Sequence, residues 1–174
     1  RKSKEIYLRV LEMEEDNPYA LIGLGHLHYD FKEYFQALKY WERMVEIHRE
    51  DIDIRVLTSL GNCHRKMKTF EKGLDYFQWA LEIEPHNFYA LFGIADCYRG
   101  LNEQDKSLIY WNRILDGDPN NKVILTRAGD AYRQMGEYEA AEEYYRKALN
   151  IEFDVYAILG SLSSTRRAEN TGIQ

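Results

Sequence analysis

From Ser3 to Phe153 the apolar residues return every three or four positions, as on one face of a helix, and no window keeps the strict alternation of a strand. The spacing predicts an all-α chain whose helices fall in pairs. The clearest pair is Gly129–Phe153, two short amphipathic helices joined by Met135-Gly136-Glu137. Gly129, Ala141 and Ala148 stand where two helices must touch, with Tyr132 and Tyr145 filling the space beside them. Such a hairpin cannot bury its apolar face alone and needs neighbours of the same kind.

The chain supplies them. Gly129 lies 34 residues after Ala95, which lies 34 after Gly61, which lies 36 after Gly25. Other rows keep this register: Leu21, Leu57, Leu91, Leu125; Leu24, Leu60, Ile94, Ala128; and His28, His64, Tyr98, Tyr132. A small row (Ala37, Gly73, Ser107, Ala141), an aromatic row (Trp41, Phe77, Trp111, Tyr145) and a last row (Met44, Ala80, Ile114, Ala148) follow. The two extra residues of the first spacing belong in the polar stretch His48–Asp53, because every row on either side of it is intact.

This order of large and small positions resembles the tetratricopeptide repeat family, a helix–turn–helix of about 34 residues per unit. The resemblance covers residues 18–153 and half units at both ends. It implies an α-solenoid, a right-handed superhelix forming one domain. Residues 1–16 are expected as the second helix of a truncated repeat and 17–50, 51–87, 88–121 and 122–153 as four repeats. Residues 154–167 then read as a capping helix, because Ser163, Ser164, Arg166 and Arg167 replace apolar positions. Residues 168–174 read as a disordered tail. Trp41 and Trp111 in the aromatic row, and Met44 and Ile114 in the last, are larger than is usual in the family and should alter the tilt between units.

Composition narrows the function. Hydrophobic content of 45% and aromatic content of 14% exclude a disordered chain. A net charge of −6 disfavours a general nucleic-acid or anionic-membrane surface, and no apolar run is long enough to insert in a bilayer. The chain opens at Arg1 inside a helical pattern, so a fragment is expected. Its half seam of Ile6, Tyr7, Val10 and Leu11 would then favour self-association. The compartment is left open, with the cytoplasm favoured.

No phosphate loop, GxSxG or HExxH is present, and no catalytic residue, metal site or cofactor is expected. Cys63 and Cys97 occupy equivalent places in successive units, about 8–10 Å apart in stacked helices and out of disulfide reach. His28 and His64 read as buried aromatics. The acidic clusters read as solvated faces.

In tetratricopeptide arrays one side of each first helix lines a concave groove that holds partner segments. The matching positions are Ile22, His26 and Tyr29; Thr58, Asn62 and Arg65; Phe92, Asp96 and Arg99; and Thr126, Asp130 and Arg133. Asp96–Arg99 and Asp130–Arg133 have the spacing of helix-supporting pairs. Arg65 has Asn62 there instead, which makes it the freest cation, and Arg65 and Arg99 are expected to matter for binding but little for stability. Only Asn62 fits the pattern of the family's chaperone-tail adaptors or peroxisomal-tail receptors. Trp79, aligned with Arg43, Arg113 and Lys147 on the outer face, is a secondary surface candidate. The reading is a non-catalytic interaction scaffold that holds a peptide segment or helix of a protein partner. The alternative is the tetratricopeptide portion of a larger enzyme or envelope complex, serving substrate selection or oligomerisation.

Overall fold

The computed structural model describes the backbone of residues 1–171 and the side chains of residues 1–151 and 158–160. Among the described residues there is no strand. The helices are α1 (Lys2–Met13), α2 (Pro18–Asp30), α3 (Tyr34–Ile47), α4 (Ile54–Lys66), α5 (Phe70–Ile83), α6 (Phe88–Gly100), α7 (Gln104–Gly117), α8 (Lys122–Gln134) and α9 (Tyr138–Thr171). A 3-10 turn, Arg49–Asp51, lies between α3 and α4, where the two extra residues were expected.

The chain divides into two compact units, Arg1–Glu103 and Gln104–Gln174. The boundary between them falls in the turn between the two helices of the third repeat. Repeats touch only their neighbours, so compact units need not respect repeat boundaries.

Polar residues start the first helices. Asn17 and Asn87 accept from the Ala20 and Ala90 N–H groups at 3.1 and 3.0 Å, and Asp53 accepts from Arg55 N–H at 2.9 Å. In unit two Asn121 caps α8 through Ile124 N–H at 3.2 Å. Each cap satisfies one of the donors a helix start leaves open. The turns that close the first helices pivot on Lys32, Lys68, Asn102 and Gly136, all with φ between 59° and 80°. The next N–H then reaches back to the carbonyl of His28, His64, Tyr98 or Tyr132. Gly100 closes α6, and a Cβ there would strike Phe70.

Small residues in unit one make room for rings. A Cβ on Gly25 would collide with Trp41, and one on Gly61 would lie 2.6 Å from Phe77. Gly93 meets the same Phe77 ring from α6, as Gly23 meets Tyr7 of α1. Tyr7 thus stands to Gly23 as Phe77 stands to Gly93. Tyr7, Val10 and Leu11 are half-buried, leaving Ile6 as the exposed member of the expected half seam. In unit two Gly129 faces Tyr145 in the same way.

Helix α9 runs unbroken through the boundary expected after Phe153, and residues 168–171 continue it where a tail was expected. The reason is legible in the register. Pro85 and Pro119 follow α5 and α7 at positions 34 apart, and the next such position is Phe153, which does not stop a helix. Residues 172–174 and the side chains of Ser163, Ser164, Arg166 and Arg167 lie outside the described residues.

Candidate partner-binding face

Residues spaced three and four apart share one face of a helix. On α2 this face carries Ile22, His26 and Tyr29; on α4, Thr58, Asn62 and Arg65; and on α6, Phe92, Asp96 and Arg99. All belong to unit one. Ile22, Asn62 and Phe92 are half-buried. His26 is exposed, its ring edge-on to Trp41 at 5.2 Å between centroids. Tyr29 packs against Tyr34 at 5.3 Å and Trp41 at 5.9 Å. Burial pushes its phenol up, and the Arg65 charge opposes that. Thr58 is buried, its hydroxyl donating to the Arg55 carbonyl at 3.1 Å, so it supports α4 rather than lining an open face.

The largest correction concerns Arg65. It is not free: its Nη1 donates to Asp96 Oδ2 at 2.8 Å, across from α4 to α6. Arg99 donates to the other oxygen, Asp96 Oδ1, through Nε at 2.8 Å, with Nη2 at 2.6 Å. Asp96 is 5% exposed, against 21% and 42% for the side chains of Arg65 and Arg99. Burial alone would push the Asp96 carboxyl up. The hydrogen bonds and charges of both arginines outweigh it and hold the group below the usual carboxylate range. The partner of Arg65 lies 31 residues away, so spacing within one helix could not reveal it. Arg65 therefore ties two repeats together, against the expectation that it matters little for stability.

In unit two Thr126 donates to the Lys122 carbonyl at 2.9 Å. The Tyr145 hydroxyl donates to the Asp130 carboxylate, and Arg133 Nε donates to that hydroxyl at 3.3 Å. Arg133 Nη2 stands 3.8 Å from Asp130, so the expected pair is completed by a ring from α9.

Extending the spacing one turn toward the helix starts adds residues that the sequence reading missed: Tyr19 on α2, Arg55 on α4 and Tyr89 on α6, with Val123 on α8 in unit two. Tyr19 and Tyr89 are 82% and 66% exposed. The signal was present, since the same three-and-four step continues backward from Ile22 and Phe92. Trp79 is less open than expected. It is half-buried, with the Arg49 guanidinium carbon 5.5 Å from its ring centre. The residues inserted between α3 and α4 supply that cover.

Cys63 and Cys97 are free and fully buried. Burial pushes both thiols up to about 12, helped by Glu42 at Cys63 and by Asp96 at Cys97. With so little thiolate at neutral pH, both are expected to titrate slowly with a thiol reagent in native buffer and fast after unfolding. Rapid native titration of either would contradict this packing.

His28 and His64 stack on Tyr40 and Tyr76 at 5.5 and 5.6 Å. The Nδ1 atoms meet Glu33 and Thr69, so these buried rings have partners. Burial, with the Lys72 charge, lowers the His64 pKa below its ordinary value. The folded unit therefore prefers neutral His64. Its stabilisation is complete above the unfolded value of about 6.5 and is lost as pH falls through the lower folded value. Melting temperature should drop as pH is lowered from 7 to 5, and His64→Tyr, the residue type at Tyr98 and Tyr132, should shrink the drop. An unchanged drop in the variant would exclude His64 as its source.

Among the described residues no cluster of three or more His, Cys, Asp or Glu is placed to hold a metal, and no helix is long and apolar enough to cross a membrane.

Models of the tetratricopeptide repeat match residues 60–122 and 124–155. The RNA polymerase-associated protein CTR9 of Caenorhabditis elegans is 33% identical over 86 residues, 49% of this chain and 7% of that protein. A crystal structure of MamA is 20% identical with a TM-score of 0.82, covering 88% of this chain and 89% of that one. YrrB, described as a TPR protein with an unusual peptide-binding site, is 22% identical with a TM-score of 0.75, covering 92% and 81%. These structural likenesses give the fold.

Proposed function

The chain belongs to the tetratricopeptide repeat family, and on that premise we propose that it is a non-catalytic interaction scaffold whose first unit holds a segment of a protein partner. The segment lies across the face of α2, α4 and α6. The observation that carries this reading is the exposed aromatic and arginine series on that face. Tyr19, Tyr89 and the half-open Arg99 stand out from a floor fixed by the Arg65–Asp96–Arg99 bridge. Tyr and Arg are among the side chains that most often carry binding energy; a tyrosine ring covers a large area for little loss of freedom, and an arginine presents a fork of charged donors. A floor already locked by ion pairs loses little further entropy on binding. In unit two, Asp130 and Arg133 are engaged with Tyr145, and Thr126 with Lys122, which leaves less of the corresponding series open.

The test compares partner recovery from native lysate by the wild type, by Tyr89→Ser with Arg99→Gln, and by Trp79→Gln. Arg99→Gln should cost no more than about 1 kcal/mol and Tyr89→Ser, at an exposed ring, little beyond that, so melting of each variant is recorded beside its recovery. Loss of recovery is expected in the first variant and normal recovery in the second. The reverse result would move the interaction to the α3–α5 side near Trp79.

A further inference from the structure

The Arg65–Asp96–Arg99 group is chemically incomplete. Two guanidinium ions, each with five N–H donors, converge on one carboxylate. Asp96 takes Nη1 of Arg65 and Nε and Nη2 of Arg99. Arg65 Nε is buried and has no hydrogen-bond partner among the described residues, so Asp96 alone answers the Arg65 charge from within the unit and the open side of the group is Arg99. Arg99 keeps 42% of its side chain in solvent. The group carries one net positive charge in a chain of net charge −6. Lys66, at the end of α4, and Lys68, in the turn after it, are both exposed and follow Arg65, whereas Asp30 ends α2 and Glu103 stands just before α7. Toward the start of α6 the same face turns apolar and aromatic. Phe88 lies 5.8 Å from Tyr89 and 6.0 Å from Phe92 between ring centres.

From this geometry we infer that the first unit selects partner segments bearing an Asp or Glu side chain beside an aromatic or aliphatic residue. The acid completes the arginine pair at Arg99, and the apolar side chain lies on Phe92 and Tyr89. This rests on the groove reading given above and adds the chemistry of its occupant. An internal side chain is specified rather than a chain terminus because the face continues past the arginines onto α2, at His26 and Tyr29. A second carboxylate brings the charge of the group to zero and forms charge-assisted hydrogen bonds, which are directional and stronger than neutral ones.

The experiment is a selection of random phage-displayed peptides on the full chain. Selected sequences are then remade with blocked ends and measured by fluorescence polarisation. Enrichment of Asp or Glu next to Phe, Tyr, Leu or Ile is expected. Changing the acid to its amide should weaken binding roughly tenfold or more, and Arg99→Gln should do the same to the acidic peptide while leaving the amide peptide unaffected. Binding of the acidic peptide should also fall with added salt. Selected peptides without acidic enrichment that are lost in Tyr89→Ser would overturn the carboxylate proposal and keep the groove. Peptides whose binding depends on a free C-terminus would also overturn it. Acidic peptides indifferent to both Arg99→Gln and Tyr89→Ser would overturn the proposal and the groove together, as would failure to select any peptide.

Discussion

Replacing Asp96 by alanine is expected to destabilise the first unit by about 2–4 kcal/mol, read as a large fall in melting temperature. Removing one member of a fully buried ion pair costs about 3–5 kcal/mol, because the remaining charge is stranded away from water. The figure here is lower because Arg65 keeps 21% of its side chain exposed and Arg99 keeps 42%. Arg99→Gln, from the more exposed side of the bridge, should cost no more than about 1 kcal/mol. The contrast between the two variants is the diagnostic. A further signature is acid sensitivity. The folded carboxyl lies below its ordinary range. Its stabilisation is therefore fully present above the unfolded value near 3.9 and disappears as pH falls through the folded value. Asp96→Asn should be less stable than the wild type at neutral pH and converge on it in acid. Equal melting of Asp96→Ala and wild type at pH 7 would mean the bridge contributes nothing.

Phe77→Ala is expected to cost about 3–5 kcal/mol, as for other fully buried rings. Phe77 has no exposed surface and fills the space between Gly61 of α4 and Gly93 of α6. The pairing can be tested by a double-mutant cycle. Gly93→Ala alone pushes a Cβ into the ring, an overpacking cost of about 1–3 kcal/mol. That exceeds the gain of about 1 kcal/mol from removing a glycine inside a helix. In the Phe77→Ala background the collision is gone, so Gly93→Ala should become stabilising. Independent, additive effects of the two substitutions would show that the ring and the glycine are not matched.

This matching was legible in the sequence because it repeats. Gly25 with Trp41, Gly61 with Phe77 and Gly129 with Tyr145 were readable as rows before any coordinates, and the structure puts each pair in contact. The lines of the candidate face were legible for the same reason. Less legible was what each member of a line touches. Arg65 looked unpartnered because the residue three before it is Asn62, whereas its acid sits on the neighbouring helix at Asp96. A search for opposite charges at matching places in successive repeats, rather than within one helix, would have found it. Thr58 was grouped with the open positions, yet it is buried, because spacing fixes a direction and not a depth. Tyr19 and Tyr89 were missed because the lines were begun one turn too late. The break expected after Phe153 rested on polarity beyond it, but a helix is stopped by backbone chemistry, and no proline stands there.

The most direct measurement is nuclear magnetic resonance of the labelled chain titrated with a peptide selected on it. Backbone and side-chain shifts should concentrate at Tyr19, His26, Tyr89, Phe92 and Arg99, on the face of α2, α4 and α6. They should be absent from Trp79 and the exposed sides of α3 and α5. Shifts centred on Trp79 and Arg49, with the α2–α4–α6 face silent, would contradict the assignment of that face as the binding surface.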